Sequence, residues 1–183
     1  MLARIIGTGS SLPEKVVANQ ELEILVDTTD EWIKSRTGIE KRHIAVTETT
    51  TSMAVEAAKH AMKNAGVKAE ELDLIIVGTV SGDMCFPSTA CQIQSALWAA
   101  NATAFDINAA CAGFLFGLSI VDAYIQYPTQ KKKRLYYFTE MIPFLDYYDI
   151  KEIDRKRCKY QPDVFNKLRL IGENEKYICE LIR

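Results

Sequence analysis

An unbroken apolar run, Leu-Ile-Ile-Val at positions 74–77, is the feature that most restricts the fold of this chain. It lies between an alanine-rich segment with apolar residues at helical spacing (52–65) and a second predicted helix (88–99). A further strand is predicted at 104–107, before an apolar helix that reaches Ile125. Short apolar strands alternating with helices are typical of sheets buried on both faces. The pattern predicts an α/β fold with a mostly parallel sheet.

Residue types at helix ends add detail to this prediction. Asn19 is a suitable N-cap for a helix reaching Val26, with acidic residues in its first turn. Gly38 is suited to end a second helix that begins at Asp30. Thr89 with Gln92 predicts a capping box at the start of the 88–99 helix.

Composition changes abruptly after residue 126. The 19 alanines and eight of the nine glycines precede this point, and seven of the eight tyrosines follow it. We therefore divide the chain into residues 1–126 and a divergent tail, 127–183. In the tail we predict a strand at 135–139 and helices near 164–170 and 175–182. The basic run at 131–134 is interpreted as a solvated loop rather than an anion site.

Several classes of function are excluded by composition. A formal net charge of -2 and a pI near 5.8 disfavour nucleic-acid binding. The sequence contains neither 18 consecutive apolar residues nor a secretory leader, so we expect a cytoplasmic protein without a membrane anchor. Its five cysteines are then expected to be reduced. Without a CxxC pair, and with two histidines, no metal site is predicted.

Cys111 is the residue with the clearest chemical potential. It stands between a predicted buried strand and a predicted helix, in the segment AFDINAACAGF. Unpaired N–H groups and the helix dipole favour a thiolate at such a position, and small neighbours allow close approach of a substrate carbonyl. The backbone N–H of Cys111 is a candidate oxyanion donor. A buried structural cysteine is the alternative that these residues leave open.

Four segments, in order, resemble the ketoacyl-ACP synthase III family of the thiolase-like superfamily: IIGTGSSLPEKVVANQELE, VDTTDEWIKSRTGIEKRHIA, FPSTACQIQSALW and FDINAACAGF. The resemblance covers residues 1 to about 125 and implies the N-terminal half of a thiolase-like fold. It implies that Cys111 takes an acyl group from acyl-CoA and that the acyl-enzyme condenses with malonyl-ACP to begin fatty-acid synthesis. It also implies a homodimer and no cofactor, since the CoA thioester and the acyl carrier protein are substrates. Chalcone-synthase-like and hydroxymethylglutaryl-CoA-synthase-like enzymes fit TGIEKRHIA and FPSTACQIQ less well.

Other site residues follow from the same resemblance. Trp32 and Arg36 match family residues that hold the CoA adenine, and Thr28 lies beside them. Phe86 matches a residue that reaches the partner's acyl pocket in the family's dimer. Two alternatives are equally open: Trp32 as a helix residue that anchors a loop, and Phe86 as a core aromatic before Pro87. Cys85 and Cys91 are interpreted as packing thiols, and neither histidine as a general base for Cys111.

The resemblance weakens over 127–149 and ends near residue 150. The histidine and asparagine with which the family drives decarboxylation find no counterpart, and no histidine follows His60. We therefore expect a truncated, condensation-deficient chain that is unstable unless it associates. A non-catalytic module that binds acyl-CoA or another subunit is the alternative function.

Overall fold

The structure is a computed structural model that describes residues 4–126 and the backbone of two later strands. The helices of this part are α1 (Asn19–Leu25), α2 (Asp30–Thr37), α3 (Thr50–Ala65), α4 (Thr89–Leu97) and α5 (Gly113–Gln126). The strands are β1 (Ile5–Ser11), β2 (Val16–Ala18), β3 (Lys41–His43), β4 (Leu74–Gly78), β5 (Thr103–Ile107), β6 (Leu135–Met141) and β7 (Lys176–Ile182). Two short 3-10 turns cover Ala69–Glu71 and Ala110–Ala112.

The chain forms two compact units. The first comprises Met1–Leu12, Thr47–Glu140 and Lys176–Arg183, and the second comprises Pro13–Val46 and Met141–Glu175. The division at residue 126 remains a prediction about where the sequence diverges.

The first unit is built on a five-stranded sheet in the order β1-β7-β6-β4-β5. β4 pairs in parallel with both β5 and β6, which confirms the predicted parallel arrangement at this side of the sheet. β7 pairs antiparallel with β1, so the sheet is mixed rather than uniformly parallel. The strand predicted at 135–139 is confirmed and extends to Met141.

The helix predicted at 175–182 is wrong, because Lys176–Ile182 is strand β7. The segment KYICELI is rich in residues that favour strands, and an edge for it to pair with is supplied by β1 from the other end of the chain. Local sequence patterns cannot predict a pairing partner that lies so far away in the chain. The helix predicted near 164–170 and the loop predicted at 131–134 lie outside the described residues.

The core of the first unit forms on both faces of β4. Every residue from Leu74 to Gly78 is buried. Leu74 and Ile76 pack with Val121 and Ile125 of α5, and Phe105 and Ile107 of β5 pack against this cluster. The continuous apolar run therefore indicates a strand covered on both sides, as predicted.

β1 lies so close to α3 that side chains are excluded at the contact. A Cβ added to Gly9 would collide with the backbone of Ala57 and Ala61, and one added to Gly7 would lie 2.7 Å from the Ala61 carbonyl oxygen. The glycines of β1 and the alanines of α3 therefore allow the backbones of the strand and the helix to pack directly against each other.

The second unit is described over Pro13–Val46. β2 pairs antiparallel with β3, and Val17, Leu22 and Ile33 form a buried cluster with Trp32 packed against it. Asn19 is the first residue of α1 rather than its N-cap, which is Ala18. Its side chain turns away from the helix end and donates to the Asp30 carboxylate and the Ile39 carbonyl oxygen. The prediction that Asn19 caps α1 is therefore wrong, because its side chain binds residues that are distant in the chain.

Helix ends elsewhere follow local rules with one exception. Gly38 and Gly66 end α2 and α3 in the left-handed conformation, at φ 72° and 66°. The predicted Thr89–Gln92 capping box is absent from the described contacts. Ser88 caps α4 instead, with its hydroxyl oxygen accepting the N–H of Cys91 at 3.3 Å.

Candidate active site

Cys111 lies on a tight turn between β5 and α5, as the sequence predicts. The 3-10 turn Ala110–Ala112 is closed by the N–H of Ala112, which donates to the Ala109 carbonyl oxygen at 2.9 Å. The thiol is exposed and forms no disulfide. A buried structural cysteine, the alternative left open by the sequence, is therefore wrong for this position.

The residue before Cys111 holds a strained backbone conformation. Ala110 has a φ of 43°, a left-handed value that residues with a Cβ rarely adopt. Strain of this kind costs about 1–3 kcal/mol and persists only where the surrounding structure enforces it. Strand-to-helix turns that present a nucleophile are sharp and strained in the same way.

The turn is anchored against the ends of the two central strands. Gly113 begins α5 and is buried, and a Cβ placed on it would lie 3.5 Å from Gly78 Cα, at the last residue of β4. Thr79 donates its N–H to the carbonyl oxygen of Ile107, the last residue of β5, at 3.2 Å. Cys111 thus stands at the carboxyl ends of parallel strands, where α/β proteins commonly bind ligands.

Phe86 belongs to the same unit and lies in the loop between β4 and α4. Phe86 is 89% exposed, and its backbone is joined to Pro87 by a cis peptide bond. The alternative that Phe86 is a core aromatic is therefore wrong. An aromatic side chain that the described residues leave so exposed is available to a ligand or a second subunit.

Asp106 is a residue that the sequence analysis did not select. It lies on β5, and its carboxylate accepts the N–H of Thr89 at 2.8 Å and that of Ala90 at 2.7 Å. These are the first two residues of α4, the helix that follows the Phe86 loop. The sequence shows that an acidic residue precedes Cys111 by five positions. No local pattern indicates that this residue binds the start of α4.

Thr28, Trp32 and Arg36 lie in the second unit, at and before helix α2. The Arg36 guanidinium stacks on the indole of Trp32, with Cζ 4.9 Å from the ring centroid. Trp32 is half-buried, and it packs against the Val17–Leu22–Ile33 cluster of its own unit. The hydroxyl oxygen of Thr28 is buried and has no hydrogen-bond partner within the described part of the chain.

A buried polar network holds α2 in place, and the sequence analysis did not predict it. Arg42 donates to Asn19 Oδ1 at 2.5 Å, and Asn19 donates to Asp30 at 2.6 Å. The hydrogen bond from Asn19, together with the bond to Lys34, keeps the pKa of Asp30 below its ordinary value. Burial lowers the pKa of Arg42, although a guanidinium stays charged throughout the physiological range.

Neither histidine contributes to the cysteine turn. The Nδ1–H of His60 donates to the Ser10 carbonyl oxygen at 2.9 Å, and that of His43 donates to the Pro13 carbonyl oxygen at 2.6 Å. Within residues 4–126 and the two later strands, His, Cys, Asp and Glu form no group of three that could hold a metal. In the same residues, no helix has both the length and the apolar content needed to cross a membrane.

Comparison with known proteins gives a partial but strong match. The chain is 52% identical over 126 residues to "Beta-ketoacyl-[acyl-carrier-protein] synthase III" of Xylella fastidiosa, covering 68% of this chain and 39% of that relative. It is 52% identical over 133 residues to the protein of the same name from Syntrophomonas wolfei, covering 72% of this chain and 40% of that protein. The chain thus spans about 40% of the length of the curated relatives that it matches. No family model matches the chain.

Solved structures agree with the sequence match. The 3-oxoacyl-[acyl-carrier-protein] synthase III of Aquifex aeolicus superposes with a TM-score of 0.78 at 38% identity, over 98% of this chain and 53% of that one. The enzyme of that name from Pseudomonas aeruginosa gives a TM-score of 0.79 at 30% identity, over 100% of this chain and 52% of that one. The fold is thiolase-like. In sequence over its first two-thirds, and in fold, this chain matches part of the ketoacyl-ACP synthase III family.

Proposed function

We propose that this chain is an acyltransferase of the 3-oxoacyl-ACP synthase III type, with Cys111 as its nucleophile. The observation that carries the proposal is the exposed thiol on a strained strand-to-helix turn, within a segment 52% identical to named synthases. Covalent acyl transfer needs a nucleophile that the substrate can reach, and the turn presents the Cys111 sulfur in this way.

In the first half-reaction, the Cys111 sulfur attacks the thioester carbonyl carbon of an acyl-CoA. The electron pair of the carbonyl moves to oxygen, where the backbone N–H of Cys111 stabilises the negative charge. The C–S bond to CoA then breaks, CoA leaves as a thiol with the proton that Cys111 gave up, and the acyl group remains on Cys111 as a thioester. Trp32 and Arg36 bind the CoA adenine by stacking and charge, with Thr28 at the same site.

In the second half-reaction, malonyl-ACP loses carbon dioxide to form an enolate, which attacks the acyl carbon on Cys111. A carbon–carbon bond forms, the Cys111 sulfur is released, and 3-oxoacyl-ACP is the product. Of the 183 residues, none after His60 is a histidine, and the decarboxylating pair of the family has no assignable counterpart. The 183-residue chain by itself is therefore proposed to accept acyl groups without completing the condensation.

Partners follow from the same proposal. Acyl-CoA and malonyl-ACP are the substrates, no resident cofactor is involved, and the protein works as a cytoplasmic homodimer. The exposed Phe86 supports the dimer, because in the proposed assembly it reaches the partner's acyl pocket. Sedimentation of the chain with and without Phe86→Ser tests it: the unchanged chain should sediment as a dimer and the variant should dissociate more readily.

Acetyl-CoA labelling tests the catalytic proposal. Intact-mass measurement should show one added acetyl group, which tandem spectra locate on Cys111 and which is lost in Cys111→Ala. Cys85→Ala is a matched control, because Cys85 is also an exposed thiol but lies outside the turn. Binding of acetyl-CoA without any adduct would favour the alternative, a non-catalytic acyl-CoA-binding module of the same fold.

A further inference from the structure

One buried amide binds helix α2 at both of its ends. Asn19, the first residue of α1, is fully buried, and its side-chain nitrogen has two hydrogens to donate. One hydrogen goes to the carboxylate of Asp30, the first residue of α2, at 2.6 Å. The other goes to the carbonyl oxygen of Ile39, two residues after α2 ends, at 2.8 Å. A movement of α2 along its axis therefore breaks at least one of these bonds.

The same amide is anchored on its other side. Its oxygen accepts a hydrogen bond at 2.5 Å from the guanidinium of Arg42, which lies on β3 and is almost fully buried. Arg42 also donates to the carbonyl oxygen of Val17, on β2, at 3.4 Å. The backbone N–H of Asn19 donates to the carbonyl oxygen of Glu40 at 3.3 Å. Asn19 thus joins α2 to the paired strands β2 and β3.

These bonds supply a constraint that apolar packing lacks. Trp32 packs against the buried apolar cluster of its unit, but apolar contacts have no direction and allow a helix to slide or rotate. Arg36 is exposed, so the backbone of α2 and the contact with the Trp32 ring determine where its guanidinium lies. The position of the stacked pair therefore depends on the bonds that Asn19 makes at the two ends of α2.

We propose that Asn19 is a positioning residue for nucleotide recognition, which holds α2 so that Trp32 and Arg36 receive the adenine end of acyl-CoA. The inference rests on the proposed function, since it takes this pair as the CoA site. Asn19 touches neither the nucleotide nor the reacting sulfur in this scheme. Its loss should therefore weaken binding of the nucleotide and leave the chemistry at Cys111 unchanged.

Asn19→Asp separates the two sides of the amide. A carboxylate at this position still accepts from Arg42, but it has no hydrogen to donate to Asp30 or Ile39. It also repels the Asp30 carboxylate. We expect the dissociation constant for CoA to rise about fivefold or more, since small misplacements of a binding group have large effects.

Quenching of Trp32 fluorescence in the full chain measures the affinity, in a Trp98→Phe background that leaves one tryptophan. The probes are CoA and adenosine 3′,5′-bisphosphate, which is the nucleotide part of CoA. Lys34→Met is the matched control, because it removes the ion pair with Asp30 and leaves the bond from the amide intact. This variant should leave the affinity for both probes nearly unchanged.

A swapped pair tests whether the bond between residues 19 and 30 carries the effect. Combining Asn19→Asp with Asp30→Asn exchanges donor and acceptor, so the hydrogen bond is restored with its direction reversed. The double variant should recover most of the affinity that Asn19→Asp loses. Asp30→Ala removes the acceptor at a side chain that is 26% exposed, and it should raise the dissociation constant about twofold or more.

Two acyl donors distinguish positioning from a general role in folding. Acetyl-CoA carries the nucleotide and S-acetyl-N-acetylcysteamine does not, but with either one the Cys111 sulfur displaces the donor thiol and forms a new thioester. With limiting donor, Asn19→Asp should slow acetylation by acetyl-CoA about fivefold and leave the rate with the short donor unchanged. Leu72→Ala, at a fully buried residue of the first unit, controls for lost stability and should not change the ratio of the two rates.

Three results would overturn the proposal: an unchanged CoA affinity in Asn19→Asp, an equal fall in rate with both donors, or a swapped pair that binds CoA no better than Asn19→Asp. If Asn19→Asp does not fold, Asp30→Ala decides, and an unchanged affinity in that variant overturns the proposal. A chain whose CoA affinity responds to Asn19 but which takes no acetyl group contradicts the acyltransferase and leaves the positioning role standing. A chain that is acetylated at Cys111 but whose CoA affinity ignores Asn19 contradicts only the positioning role.

Discussion

The guanidinium of Arg36 lies over the indole of Trp32, with Cζ 4.9 Å from the ring centroid. The pair stands on one face of α2, four residues apart, and the hydroxyl oxygen of Thr29 caps the helix by accepting the Trp32 N–H at 3.1 Å. Such a contact contributes about 0.5–1 kcal/mol at an exposed site. The arrangement combines a flat ring with a fixed positive charge, which suits a nucleotide base next to a phosphate.

Removing the charge from this pair should weaken CoA binding. We expect Arg36→Met to raise the dissociation constant for CoA about three- to tenfold, because it deletes the charge but keeps an unbranched side chain over the ring. Quenching of Trp32 fluorescence by CoA measures the affinity, in a Trp98→Phe background that leaves Trp32 as the single tryptophan. Lys34→Met, on the same helix, is the control and should leave the affinity nearly unchanged. Equal losses in the two variants would indicate a general charge effect instead.

Relief of strain at Ala110 should stabilise the protein. Glycine adopts a φ of 43° without a steric penalty, so we expect Ala110→Gly to raise the free energy of unfolding by about 1 kcal/mol. Ala112→Gly, in the same turn without a left-handed φ, should lower it by about 0.5–1 kcal/mol. Urea denaturation of the two variants checks the opposite signs. A loss of stability in both would show that the strain at residue 110 is negligible.

The buried hydroxyl of Thr89 should be dispensable. Thr89 is fully buried, its Oγ1 has no hydrogen-bond partner within the described residues, and Gly82 lies against it. Thr89→Val keeps the shape and removes an unsatisfied polar atom, so we expect a gain of about 1 kcal/mol in unfolding free energy.

A matched threonine gives the opposite expectation. The Thr50 hydroxyl donates to the Ser81 carbonyl oxygen at 2.9 Å, and Thr50→Val should therefore cost about 0.5–1.5 kcal/mol. Thermal unfolding of both variants measures the contrast. Destabilisation by Thr89→Val comparable to that of Thr50→Val would mean that the Thr89 hydroxyl is satisfied in solution.

Asp83 should make stability depend on pH in the acid range. Desolvation acts to raise the pKa of this carboxyl, but hydrogen bonds from Thr51, Thr49 and Thr50 outweigh it and hold the pKa below the ordinary value of 3.8. A depressed pKa in the folded state contributes stability above the ordinary value, and this stability is lost as the pH falls through the lower, folded value.

The Asp83→Asn variant isolates this contribution. We expect it to destabilise the protein at pH 7, and the gap to the unchanged chain should close as the pH falls below about 4. Urea denaturation at a series of pH values measures the gap, and Glu56→Gln, at an exposed residue of α3, is the control. A gap that stays constant down to the most acidic pH would contradict a depressed pKa at Asp83.

Local sequence patterns predicted most elements of the first 126 residues. The run at 74–77, the alanine periodicity of α3 and the glycines after α2 and α3 each reflect short-range physics: burial, helical spacing and a left-handed C-cap. The predicted Thr89–Gln92 capping box was wrong for a local reason, because Ser88 caps α4 instead. Two other predictions were wrong because a distant segment decided the outcome. The Asn19 side chain donates hydrogen bonds to Asp30 and Ile39 instead of capping α1. Residues 176–182 form a strand because they pair with β1.

The sequence by itself determined the α/β alternation, the place of Cys111 between a strand and a helix, and the resemblance that identifies its segment, because each depends on residues close together in the chain. Only the tertiary structure decided that the thiol is exposed, that Ala110 before it is strained, and that Asp106 binds the start of α4. These properties depend on which strand lies beside which helix. Trp32 and Arg36 illustrate the difference. Their spacing of four residues is a property of the sequence, whereas the packing of Trp32 against the cluster of Val17, Leu22 and Ile33 is a property of the tertiary structure.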